Sequence, residues 1–558
     1  MFQLSHEELT RRQVLRRAGV GAAVLTLPGW LAACGGGDGR DPAAAPNAAG
    51  APVDVATSEA EIPLLTWSLG DAPPGLDIAT GFVANGVAAM TLGLESLVTL
   101  DDQLAVQPML AESWSQPDAK TYVYRLRSGV TFWDGSPLTA EDVAYSLGRH
   151  IDPDVGSQLG GYYVNVRDIR ATGDGEVTVR MTTPDPLFKY VPVFSFVTQK
   201  AHSEKLGKKL GAPGPTINVM GTGPYRYTQF SAERGITVER NEDYWGAKPA
   251  VAKAELRFIA NPQTNLLAAR SGEIDGRFEF PAQQAKDWDR LEGFAASYAP
   301  GMRVIFLSFD MDAEPWSDLH VRKAIAHCCD REGYVKAFLG GHGATASVVV
   351  SPAQWGALAS PEEVEAMYAK YPQYPFDVER AKAELAQSAH ADGFSATILV
   401  PDAYPEVQRA LVSLGQTLKQ LSIRLEVKTI TQNEWLAHVY GHEDMALTFL
   451  TLGPDYPDPA NFPAILFPSA AAAKNNFNTA NFKNPEVDDL LAQQAGTTDD
   501  AARVRAIDQM LQITSEELPY FPLWFQDSSM AIVEENVLPT FDSLYYYKPW
   551  LAQVRARA

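Results

Sequence analysis

An α/β body behind a short leader is the fold class that the sequence predicts, and three observations predict it. From Ile62 onward, strand-like and helix-like segments alternate along the chain. The 558 residues are 46% hydrophobic and 20% charged, an ordinary globular composition with room for about three domains at roughly 150 residues each. Beyond the leader, no apolar run reaches the roughly 18 residues that a membrane-spanning helix needs.

The leader comes first. Thr10-Arg11-Arg12-Gln13-Val14-Leu15-Arg16 resembles a twin-arginine export signal, with Arg11 and Arg12 as its pair, and an apolar run from Ala18 to Leu27 follows. Leu31-Ala32-Ala33-Cys34-Gly35 resembles a bacterial lipobox, in which cleavage leaves Cys34 to carry a lipid anchor. Residues 1–33 are therefore expected to be a signal peptide. Residues 34–61, rich in Gly, Ala and Pro, bury too little apolar surface to offset their ordering entropy and are expected to be a flexible tether.

The body then reads element by element. Tyr122 to Leu126 alternates large apolar residues with period two, Arg127-Ser128-Gly129 turns, and Val130 to Trp133 resumes, which predicts a hairpin. Thr139 followed by Glu141 and Asp142 is a helix start, because the hydroxyl can cap a free amide and the acids suit the positive helix end. Gly235 to Arg240 predicts a strand, and the spacing of Val321, Ile325, Val335 and Leu339 predicts one helix. Thr498 to Glu517 predicts another, stopped by Pro519.

Charge and motifs exclude several activities. With 46 basic and 68 acidic residues the net charge is -22, which opposes binding to nucleic acid. Cys34, Cys328 and Cys329 cannot make a disulfide framework, and Cys328 and Cys329 are expected to pack on a buried helix stripe. There is no phosphate loop and no His-Glu-x-x-His motif, and Gly221-Thr222-Gly223-Pro224 reads as a tight turn. His438 and His442 stand four apart, but Gly441 signals that the helix ends there, so surface histidines are expected rather than a metal site. The adjacent acids Glu362-Glu363 and Asp488-Asp489 point apart on a helix and do not form an acid/base pair. No catalytic residue and no cofactor is assigned.

Several blocks, in order, resemble the family 5 extracytoplasmic solute-binding proteins of ATP-driven oligopeptide, dipeptide and nickel importers. They include Gly93-Leu94-Glu95-Ser96-Leu97, the stretch from Phe132 to Arg149, Gly221 to Tyr225, Glu239 to Gly246, Val321 to Ile325 and Leu518 to Leu523. The resemblance implies a type II periplasmic-binding-protein fold with two lobes, a hinge and an inserted third subdomain. The first lobe is expected at 62–93 with 217–308 and 520–558, the inserted subdomain at 94–216 and the second lobe at 309–519. It also implies a small-molecule or peptide ligand in the interlobe cleft, an ABC permease and ATPase as partners, a monomer, and a location in the periplasm or at the cell surface.

Gly453-Pro454-Asp455-Tyr456-Pro457-Asp458-Pro459 resembles the segment whose first Asp holds the ligand ammonium in peptide-binding members, so Asp455 is the leading candidate and Asp458 a second. Both also suit a turn. The family often has Trp three residues before that Asp, where this chain has Leu452. Arg409 lies near the position of a carboxylate-holding arginine in dipeptide binders. A nickel or haem complex, an oligosaccharide, a sensory role and an extracytoplasmic hydrolase stay open as alternatives.

Overall fold

The computed structural model describes residues 55–356 and 358–558. Arg11, Arg12 and Cys34 lie outside the described residues, as does most of the expected tether. Among the described residues, no helix is long and apolar enough to cross a membrane.

A mixed nine-stranded sheet organises the chain. Its order is Leu447–Leu452, Phe294–Phe309, Tyr520–Val533, Gly276–Phe278, Leu65–Ser68, Lys253–Arg257, Gly235–Arg240 and Tyr225–Ser231, with Gly343–Thr345 added alongside Tyr520–Val533. Two of these strands are long: Phe294–Phe309 and Tyr520–Val533 run antiparallel, with a break in register between Ala299 and Arg303. They pass from one hydrophobic core to another. Ala299, Met302, Met530 and Ile532 pack with residues of the first 260 positions, whereas Val304, Ile305, Trp524 and Phe525 pack in a core drawn from residues 304–525. At the changeover Arg303 is exposed and Gln526, Asp527 and Ser528 are half-buried, so this crossing ribbon is wet where the cores part.

An antiparallel four-stranded sheet lies apart, in the order Ala111–Asp118, Thr121–Leu126, Glu176–Met181 and Val166–Gly173. The strand expected at 122–126 is present, but its hairpin partner is Ala111–Asp118 rather than residues 130–133. Those residues lead into a turn in which the Phe132 N–H donates to the Ser136 carbonyl at 2.8 Å and Asp134 accepts from the Ser136 N–H at 3.0 Å. Gly135 supplies the left-handed backbone, with φ of 86°.

The helix at Ala140–Gly148 starts as its residues predict. Thr139 accepts from the Asp142 N–H at 3.2 Å and Asp142 accepts from the Thr139 N–H at 3.1 Å, a reciprocal cap. The expected helix from Val321 to Leu339 is instead two, Leu319–His327 and Arg331–Phe338. Asp330 breaks it, accepting from the Gly333 N–H at 2.9 Å as the cap of the second helix. Cys328 and Cys329 are buried at this corner, and burial pushes the Cys328 thiol up to about 12. Asp500–Glu517 is capped by Asp499 and ends at Leu518, left-handed at φ 54°, just before Pro519.

Candidate functional site

Asp455 sits just beyond the strand Leu447–Leu452, whose pairing with the crossing ribbon ends at Leu452 opposite Val304. Three prolines, 454, 457 and 459, restrict the following backbone, and a Tyr456 carbonyl accepting from the Asp458 N–H at 2.9 Å tightens the turn. Tyr456 is thereby buried, with its ring stacked on Tyr190 at 5.6 Å. Asp455, beside it, is less deeply buried. Its half-buried carboxylate accepts the hydroxyl of Tyr162, 293 positions earlier, at 2.5 Å. Burial raises its carboxyl above the usual range, and the Tyr162 bond only partly offsets this. Among the described residues, no ion pair forms on it.

Asp458 has a different environment. It is fully buried and pairs at 2.7 Å with Arg503, itself fully buried, from the helix Asp500–Glu517. Its Oδ1 also accepts from the Ala460 N–H at 3.0 Å. This carboxylate holds the turn to the helix behind it.

The exposed part of the ribbon lines a cavity of about 740 Å³. Arg303 and Gln526 of the ribbon line it together with Glu279, Asp402, Tyr404 and Glu406. Glu279 takes a left-handed backbone, with φ of 52°, that turns its exposed side chain to the cavity. The surrounding protein still desolvates it enough to raise its carboxyl, an effect Arg303 opposes. Burial and the charge of Asp455 raise the Tyr546 hydroxyl above its ordinary range, while Arg303 opposes the shift. Arg409 is placed elsewhere, exposed on the helix Pro405–Leu418 with its guanidinium 5.6 Å from the ring centre of Phe338.

Other motifs take structural roles. His442 is the left-handed cap that ends the helix Gln432–Gly441, and its Nε2 lies 2.8 Å from Asn481. Gly221 and Gly223 allow close backbone approach: a Cβ at Gly221 would fall 2.1 Å from the Gly93 carbonyl oxygen. Their neighbour Thr222 donates to Glu95 at 2.7 Å, joined by Tyr244 at 2.8 Å and Trp245 at 2.9 Å. Glu95 is 1% exposed, and burial pushes its carboxyl up to about 7 despite those three donors.

Sequence reasoning missed Tyr162, Glu279, Arg303 and Tyr546. Arg303 left a signal, a lone cation inside the apolar run Met302 to Phe309, and so did the Tyr545-Tyr546-Tyr547 run. Tyr162 and Glu279 left none, because their roles come from distant partners.

Residues 105–474 match the family model of the bacterial extracellular solute-binding proteins, family 5 Middle. Among curated proteins, the glutathione-binding protein GsiB of Escherichia coli O1:K1 / APEC is 26% identical over 444 residues, covering 77% of this chain and 82% of that protein. Among solved structures, the periplasmic binding protein DppA of Helicobacter pylori, in complex with the peptide STSA, superposes with a TM-score of 0.72 at 21% identity. That match covers 90% of this chain and 99% of the other. NikZ of Campylobacter jejuni, in complex with Ni(L-His), gives 0.73 at 18% identity, covering 88% and 100%.

Proposed function

We propose, from the premise that the chain belongs to the bacterial extracellular solute-binding proteins of family 5, that it is the peptide receptor of an ATP-driven importer. It captures peptides or peptide-like amino compounds between two lobes and hands them to a membrane permease. The lobes are those expected from the sequence, 62–93 with 217–308 and 520–558 against 309–519, with 94–216 inserted. The leader, with Arg11 and Arg12, exports the protein, and a lipid on Cys34 holds it at the membrane outside the cytoplasm.

The observation that carries the ligand class is the state of Asp455. A carboxylate with a raised proton affinity and, among the described residues, a neutral hydroxyl rather than an ion-pair partner gains most when a cation arrives, because a charge-assisted hydrogen bond then replaces an ordinary one. A ligand α-ammonium is such a cation. Asp458, already paired to Arg503, has no comparable gain to make. The names of the relatives support the same class, since one binds glutathione and one structure holds a tetrapeptide. Binding alone accounts for the site, through different ligand affinities of open and closed states.

Thermal unfolding tests this reading. Free di- to pentapeptides at about 100 times their dissociation constant stabilise the protein by roughly 2.7 kcal/mol. N-acetylated peptides do not, and Asp455→Asn abolishes the effect. Equal stabilisation by acetylated peptides, or a response only to a nickel chelate or an oligosaccharide, removes Asp455 from this role.

A further inference from the structure

A second cavity lies against the other face of the crossing ribbon. Gln526 lines the cavity of Arg303, whereas its neighbours Phe525 and Asp527 line this one, as the alternation of side chains along a strand requires. Its volume is about 560 Å³, inside the range of roughly 300–1,000 Å³ for small-molecule sites. Three parts of the chain enclose it: Gln103 with Ala105, the ribbon at Gly301 and Asp527, and residues drawn from 331–373. Neither Asp455 nor Arg303 is among the residues that line it.

Most of the wall is apolar, with Ala346, Ala353, Val364 and Phe525 all buried in the fold. Among the described residues that line it, only Arg331, Glu365 and Asp527 carry charge. The Arg331 guanidinium is already engaged, donating to the carbonyls of Ala346, of Tyr374 at 3.1 Å and of Pro522 at 3.5 Å, and lying 4.9 Å from the ring centre of Phe521. Glu365 is exposed, so water already screens it. Asp527 is different. It is half-buried, its Oδ1 accepts the Gly301 N–H at 3.3 Å, and among the described residues it makes no ion pair. Burial pushes its carboxyl up to about 6 although that bond opposes the shift.

These features select the occupant by charge. An anion meets two carboxylates and an arginine whose donors are spent. A neutral apolar molecule fits the wall but closes over the Asp527 charge without compensating it. A molecule with an apolar body and one cationic end satisfies both surfaces, because its ammonium gives Asp527 a charge-assisted hydrogen bond. We propose that this cavity is a second ligand site and takes an amphipathic amine, its apolar body against Ala346, Ala353, Val364 and Phe525 and its ammonium on Asp527.

The test titrates the full chain by calorimetry with phenylbutylamine, phenylbutanol and phenylbutyrate, which share one apolar body and end in an ammonium, a hydroxyl and a carboxylate. Wild type is expected to bind the amine at least about tenfold more tightly than the alcohol, with the acid weakest. Asp527→Asn should bring amine and alcohol to parity. Ala344→Phe, which puts a ring into the cavity and keeps Asp527, should weaken amine and alcohol alike, and it decides the matter if Asp527→Asn fails to fold. Asp455→Asn should leave amine binding unchanged. If Asp455→Asn abolishes it instead, the amine occupies the other site and the proposal falls while the reading of Asp455 stands. Equal binding of amine and acid, an amine preference that survives Asp527→Asn, binding untouched by Ala344→Phe, or binding of none of the three probes each overturns the proposal.

Discussion

Asp455 and Asp458 leave one turn three residues apart and meet opposite environments. Asp458 is sealed against Arg503 with no exposed surface on either side chain, whereas Asp455 is half-buried and, among the described residues, takes a hydrogen bond from the neutral Tyr162 hydroxyl and makes no ion pair. The difference teaches that neighbouring acids of one turn are set apart by their partners: a buried cation compensates the charge of one, and a neutral donor leaves the charge of the other uncompensated among the described residues.

The largest break in this comparison is at the sealed pair. Arg503→Leu strands the Asp458 charge in the interior and is expected to cost about 3–5 kcal/mol of stability in urea unfolding. A third carboxylate sharpens the contrast, because Glu95 also has only neutral donors yet is closed on every side. Its carboxyl is raised to about 7 in the folded protein, so its contribution is full below the ordinary carboxylate range and is lost as pH rises through about 7. Glu95→Gln should flatten that decline, worth on the order of 3 kcal/mol, in melts taken between about pH 4 and 8.

Asp455→Asn comes next. It should remove the roughly 2.7 kcal/mol of peptide-induced stabilisation while changing the unliganded protein by less than about 1 kcal/mol, since burial already disfavours the charged form there. In wild type, protonating Asp455 abolishes its pairing with an ammonium, so affinity falls on acidification, beginning above the ordinary carboxylate range. Calorimetry across pH reads this directly. The smallest effect is that of Tyr162→Phe, which should lower unliganded stability by about 1 kcal/mol. It also withdraws the bond that holds the Asp455 carboxyl down, and the acid-side loss of binding moves to higher pH.

Local chemistry was legible in the sequence and long-range pairing was not. The Thr139 cap and the end of the Asp500–Glu517 helix each depend on residues within a few positions, and each is present, whereas residues 221–224, expected as a tight turn, pack their backbone on Gly93, far earlier in the chain. The hairpin partner of Thr121–Leu126 was misplaced because the turn at residues 133–137 has stronger turn chemistry than strand propensity. The break at Asp330 was hidden by apolar spacing that runs through it, although Asp330-Arg331-Glu332 is itself a helix start. In the site, Asp455 could be named from its segment, but its partner stands 293 positions away, and the guard on Asp458 stands 45 away. Nothing local distinguishes those two acids; only packing does.

The Glu95 junction has one last consequence. It gathers Thr222, Tyr244 and Trp245, so three of the blocks that reveal the family converge on a single sealed point. None of those four residues lines the cavity of Arg303. The residues that carry the family resemblance and those that line the candidate cavity are thus different parts of the molecule. Likeness at that sealed junction therefore speaks for a shared scaffold and is silent on what the cavity holds.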